Sequence, residues 1–196
     1  MNEFLTLDWV SVKFCPLMDR LIIVNSTADI PKKYQGTPIG LLAEYQNHLR
    51  APDSYSSAQI LVGMCMDNRK ALDVPENFAY VLRTGGANMR ASGFKISYAI
   101  AVGGVRYIAI AGHNHCGMVN VMARKEAFIQ GLVEGAGWDR EKAENHFLNL
   151  VPMFEIGNEI DFVLSEVRRL RAEYPKITIA PLLYRIENNR LCFIRE

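Results

Sequence analysis

The sequence predicts an α/β fold: a mostly parallel central sheet flanked by helices, with a C-terminal antiparallel edge hairpin. Three observations predict it. Four apolar runs are near-continuous rather than alternating: Ile60 to Met64, Phe78 to Leu82, Tyr107 to Ala111, and Ile177 to Ala180 continuing to Tyr184. Such runs suit strands covered on both faces. The segment from Met89 to Gly104 between the second and third runs is long enough for the helical crossover that parallel strands require. Finally, residues capable of chemistry fall at the ends of the first three runs, where open α/β sheets bind their ligands.

Taken in order, the first thirty-odd residues are weakly patterned, and residues 1–55 are the region with the least assignment. After Pro38, the apolar positions Leu42, Tyr45 and Leu49 follow helical spacing up to Pro52. Three strand runs and the crossover come next, then a long helical region whose clearest part carries a stripe of Ile160, Val163, Val167 and Leu170. The chain closes in a hairpin, with Asn188-Asn189 able to adopt a left-handed turn between Leu182-Leu183-Tyr184 and Leu191 to Ile194. No linker or repeat divides the 196 residues, so 1–196 reads as one domain.

Composition narrows the function classes. The formal charge is +1 with acids and bases interspersed, which provides no field to attract nucleic acid or an anionic membrane. Met1 to Phe14 carries Glu3, Asp8 and Lys13, and Leu21 to Val24 is far too short to span a bilayer, so a cytoplasmic protein is expected. The four cysteines are widely spread and read as reduced thiols. Cys15 and Cys192 have no ligand-type neighbours and read as small buried apolar residues. Met64, Met66, Met118 and Met122 cluster around the motifs and read as packing residues.

Cys65, His113 and Cys116 offer two thiolates and an imidazole from two strand ends. That set holds one zinc ion and leaves a fourth position open, the ligand count of a catalytic site. Asp67 lies two residues beyond Cys65 and can face the same cavity, where it can accept a hydrogen bond from a zinc-bound water or itself move in as the fourth ligand. Arg69, two further on, can hold Asp67 as an anion and away from the metal. Gly85-Gly86 after the second strand permits close backbone approach to a ligand. Neither glycine pair, Gly85-Gly86 or Gly103-Gly104, has the spacing of a dinucleotide fingerprint.

These segments resemble the beta-class carbonic anhydrases. Cys65-Met66-Asp67-Asn68-Arg69 is similar to that family's Cys-x-Asp-x-Arg motif, in the form of its smaller, prokaryotic cab-type branch, and Arg83-Thr84-Gly85-Gly86 is similar to its Arg-Asn-Ala-Gly segment. Ser97 to Ile100, Gly104-Val105 and Ile108 to Gly117 follow the order of its helix, strand and Gly-His-x-x-Cys-Gly turn, and Leu183 to Leu191 resembles its closing strand pair. The resemblance covers Ile60 to Gly117 well and the terminus loosely; Val119 to Asp161 does not align. Thr84, Gly85 and His115 depart from the family pattern.

The resemblance implies a zinc lyase that interconverts carbon dioxide and bicarbonate by attack of a metal hydroxide. It implies Cys65, His113 and Cys116 as ligands, Asp67 and Arg69 as a catalytic dyad, Gly85 and Gly86 as backbone bordering the substrate, and a homodimer or multiple of dimers. Relatives of the same fold that hydrolyse carbon disulfide or carbonyl sulfide supply the alternative, and a non-catalytic zinc-binding homologue a further one. His115 reads as a turn residue pointing away from the metal, ahead of a proton-shuttle role.

Overall fold

A computed structural model describes residues 18–196. The readings made for Met1 to Phe14 and for Cys15 lie outside the described residues. Six strands, β1 (Leu21–Ile23), β2 (Ile60–Cys65), β3 (Ala79–Thr84), β4 (Tyr107–His113), β5 (Thr178–Arg185) and β6 (Arg190–Ile194), form one sheet in the order β1-β6-β5-β4-β2-β3. β2 pairs in parallel with both β3 and β4, and β4 in parallel with β5.

Alternating side chains divide the core into two layers, which explains the unbroken apolar runs. Ile60, Val62 and Met64 of β2 share one layer with Ala109 and Ala111 of β4 and with Ile39, Leu42 and Tyr45 of helix α1 (Pro38–Gln46). Leu61, Ile108, Ile110 and Ile179 share the other with Ile96 of α2 (Gly93–Ala101), the expected crossover, and with the Ile160-Val163-Val167-Leu170 stripe of α5 (Glu159–Glu173). β3 departs from the expectation of two covered faces: it is an edge strand, and Tyr80 and Val81 remain exposed.

The closing hairpin forms, with β5 and β6 antiparallel and Asn189 at φ 58°. Asn189 alone of the asparagine pair takes the left-handed conformation. The hairpin is not itself the edge, because β1 adds to β6 through Leu21–Ile194 and Ile23–Cys192 pairing. A three-residue strand has no readable period, so only its partner reveals it.

Helix α1 starts where Thr37 accepts a hydrogen bond from Gly40 N–H and Pro38 sets the first turn. It stops at Gln46, short of the expected run to Pro52. The cause is Asn47, whose buried amide donates to the carbonyls of Val24 and Leu191 and accepts from Leu191 N–H, tying the helix end to β6. Between β4 and α5 lies a hairpin of α3 (Lys125–Ala136) and α4 (Arg140–Phe154), joined through Gly137 at φ 67° and capped by Asp139. Among the described residues no helix is long and apolar enough to cross a membrane.

Candidate metal centre

Cys65 is the last residue of β2 and His113 the last of β4. Because these strands are parallel neighbours, both side chains emerge at the same edge of the sheet, beside Thr84, which pairs with Cys65 at the end of β3. The chain then turns through His115 at φ 55° and brings Cys116 back to the same point. Ligand-type atoms of Cys65, His113 and Cys116 all lie within 4.8 Å of one another, and all three residues are buried. Cys65 Sγ and Cys116 Sγ are 3.9 Å apart, so the two thiols face each other without a disulfide.

The environment of each donor fits a cation. His113 Nδ1 lies 2.9 Å from the carbonyl of Asn114, which accepts its proton and leaves Nε2 as the bare nitrogen. That Nε2 is fully buried and has no hydrogen-bond partner. An unpartnered buried polar atom costs stability, so an Nε2 aimed at two thiols fits a metal better than it fits a closed protein site. The Cys65 thiol is pulled well below the usual thiol range, chiefly because Cys116 donates to it; the same donation, together with burial, pushes the Cys116 thiol up. The set is three soft-to-borderline donors, which suits zinc.

Asp67 and Arg69 come together as expected. Arg69 donates to Asp67 from Nε at 3.0 Å and Nη2 at 2.6 Å, and its backbone N–H adds a third bond at 2.9 Å. This pairing holds the Asp67 carboxyl well below the usual carboxylate range. Asp67 Oδ2 nevertheless stays 3.7 Å from His113 Nε2, at the border of the centre. Arg69 also donates to the carbonyl of His115 at 2.9 Å, which ties the Asp67–Arg69 pair to the His113–Cys116 turn. The His115 side chain is exposed and takes no part in the cluster.

Three further residues serve the site that motif reading left without a role. Arg83 reaches back to the carbonyls of Cys65 at 3.4 Å, Asp67 at 3.5 Å and Lys70 at 3.1 Å, and so braces the whole Cys65–Lys70 loop. Lys70 is buried, with an ammonium 3.3 Å from the Asp67 carbonyl, and burial pushes its pKa down. Glu159, in the first turn of α5, accepts from Cys116 N–H at 3.1 Å. Arg83 lies inside a quoted motif and Lys70 adjoins one, so both had a local signal; Glu159 lies 43 residues from Cys116 and had none.

The glycines divide by position. A Cβ at Gly112 would lie 2.7 Å from Val163 Cγ2, so its absence lets α5 press onto β4 and brings Glu159 to Cys116. Gly86 has φ +62° and would meet Ile156 and Met118. At Gly117 an added Cβ would meet open space, so of the two glycines that flank the His113–Cys116 turn only Gly112 relieves crowding. Gly85 lines an apolar pocket beside the centre. Met64 is buried as expected, while Met66 and Met122 are exposed and do not fill packing gaps.

No family model and no curated protein matches the chain. Among solved structures it is similar to beta-carbonic anhydrase isoform I from Trichomonas vaginalis, with 22% identity, a TM-score of 0.61, and coverage of 74% of this chain and 88% of that one. It is also similar to a carbonic anhydrase from Glaciozyma antarctica, with 19% identity, a TM-score of 0.54 and coverage of 74% and 85%. An apo form of a carbon disulfide hydrolase gives 19% identity, a TM-score of 0.50 and coverage of 71% and 78%. At such identities the likeness is one of fold: the chain has the α/β fold of the beta-carbonic anhydrases.

Proposed function

We propose that this chain catalyses the reversible hydration of carbon dioxide to bicarbonate, with one zinc ion held by Cys65, His113 and Cys116. The observation that carries the reading is the bare, buried Nε2 of His113 converging with two thiols while Arg69 holds the Asp67 carboxylate to the side. Three protein donors leave a position open for chemistry. Zinc supplies Lewis acidity that makes a water acidic enough to act as a nucleophile near neutral pH, with a pKa toward about 7 as in carbonic anhydrases with three histidine ligands.

The chain's own residues do the rest. Asp67, ionised by its pairing with Arg69, presents a hydrogen-bond acceptor at the border of the centre and orients the attacking water. Arg69 prevents Asp67 from swinging into the open position, and Arg83 holds the loop that carries both. Gly85 and Gly86 border the substrate with backbone only, beside an apolar wall that suits a neutral linear molecule.

That apolar wall also supports a second reading, hydrolysis of carbon disulfide or carbonyl sulfide, in which the same groups act on a carbon–sulfur bond. A stopped-flow hydration assay on protein of measured zinc content, run beside an assay for sulfide release, separates the two. Bound zinc with neither activity from pH 6 to 9 would leave a non-catalytic zinc-binding protein.

We further infer that residues 1–196 act as one domain, in the cytoplasm, as a homodimer or a multiple of dimers. The β3 edge, unpaired among the described residues and with Tyr80 and Val81 exposed, together with Phe94 and Tyr98 bared on α2 and Val102 just after it, supports self-association. Light scattering at several concentrations gives the mass; a monomer throughout would reject it.

A further inference from the structure

Beside the metal centre, the α3–α4 hairpin encloses a pocket of about 320 Å³ that hydration of a triatomic gas does not require. Its inner wall is Met66, Gly85, Gly117 and Met118, residues flanking the zinc ligands and the Thr84 strand end. Its outer body is Phe128 from α3 with Phe147, Leu150, Val151 and Phe154 from α4. A cavity of roughly 150 Å³ lined by such side chains is enough to hold benzene, so this one accommodates a ring with substituents. Phe128 and Phe147 lie 5.0 Å apart at 54°, a tilted pair that offers both a face and an edge to a third ring.

Two polar side chains reach this lining, Arg124 and His146. The charged residues that follow Arg124 in the chain are engaged, Lys125 with Glu144 at 2.6 Å and Glu126 with Arg140 at 2.7 Å. Glu155 on the same flank accepts from Met122 N–H at 2.9 Å. Among the described residues Arg124 itself forms no ion pair. A free guanidinium at the rim of an apolar pocket matches a planar anion, because its donor fork meets both oxygens of a carboxylate.

We propose that this pocket binds a small aromatic carboxylate, its ring among Phe128, Phe147 and Phe154 and its carboxylate on Arg124. Bound there, the ligand lies against Met66 and Met118 and covers the approach to the metal centre, so its concentration would govern access to that centre. The ring contacts come from α3 and α4 and the anion contact from Arg124 just before α3, so binding there does not depend on which reaction the centre performs.

The test is calorimetric titration of the zinc-loaded protein with benzoate and with its neutral isostere benzamide, in wild type, Arg124→Gln and Arg124→Lys. Benzoate should bind about tenfold more tightly than benzamide in the wild type, the scale of one charge-assisted contact at a rim. That preference should fall to about one in Arg124→Gln and return in part in Arg124→Lys, with benzamide affinity the same in all three. Phe128→Ala should weaken both ligands together. A benzoate preference that survives Arg124→Gln would place the carboxylate elsewhere, on the metal included, and overturn the proposal, as would no binding of either ligand at millimolar concentration. Because the readout is binding, an inactive protein that retains the Arg124-dependent preference would sink hydration and leave this inference standing.

Discussion

The strand-end cluster and the α3–α4 hairpin border the same space and are built in opposite ways. At the cluster, Cys65 and His113 are the terminal residues of hydrogen-bonded parallel strands, and Arg83, Arg69 and Glu159 each tie down the backbone that follows. Its donors are buried. The hairpin buries Ile129, Ala143 and Phe147 but leaves Phe128, Leu148 and Met153 exposed, and its rim arginine is unpaired among the described residues. The contrast teaches a division of labour. Donors that a metal would need placed to within tenths of an ångström sit on the sheet, whereas the apolar wall beside them is carried by a pair of helices outside it.

The sharpest way to break this comparison is Cys65→Ser. Loss of one thiolate from a three-donor set should lower zinc affinity by more than about 100-fold, beyond what supporting residues contribute. Elemental analysis should find close to one zinc per wild-type chain and almost none in the variant. A wild type prepared without chelators that holds no transition metal would remove the site altogether.

Asp67→Ala comes next: zinc content should be retained while hydration falls by about 100-fold, since the donors survive and the acceptor at their border does not. Wild-type rates from pH 6 to 9 in both this variant and Arg69→Ala would dissolve the dyad. Gly112→Ala probes the sheet side by stability. With Val163 Cγ2 at 2.7 Å from the new methyl, α5 must shift, at a cost of about 1–3 kcal/mol. Denaturant titration measures it, and Leu148→Ser on the exposed face of the hairpin should stay within about 0.5 kcal/mol. Equal losses at the two positions would erase the contrast.

Acid titration of metal-free protein sharpens the role of the dyad. The folded Asp67 carboxyl is lowered from 3.8, so its pairing stabilises the fold above that pH and the contribution is lost as pH falls through the lower folded value. Thermal midpoints should therefore drop more steeply below about pH 4 in the wild type than in Asp67→Asn. The smallest effect belongs to His115→Asn, which keeps a residue type tolerant of φ 55° and should leave zinc content and turnover unchanged. Loss of zinc there would make the turn part of the centre.

The sheet strands, the crossover helix and the donors Cys65, His113 and Cys116 were legible because each rests on short-range pattern. Unbroken apolar runs mark strands buried on both faces, and parallel pairing then brings their ends to one edge. The Asp67–Arg69 pair was legible for the same reason, two residues apart on one loop. The tertiary structure alone decided the remainder. That β1 would cap β6, that α1 would stop at Asn47, that Glu159 would reach Cys116 and that α3 and α4 would enclose a pocket are all outcomes of contacts between segments far apart in the chain. Local propensity sets the period of a segment. Which distant partner satisfies its buried polar groups and covers its apolar face is fixed only when the layers pack.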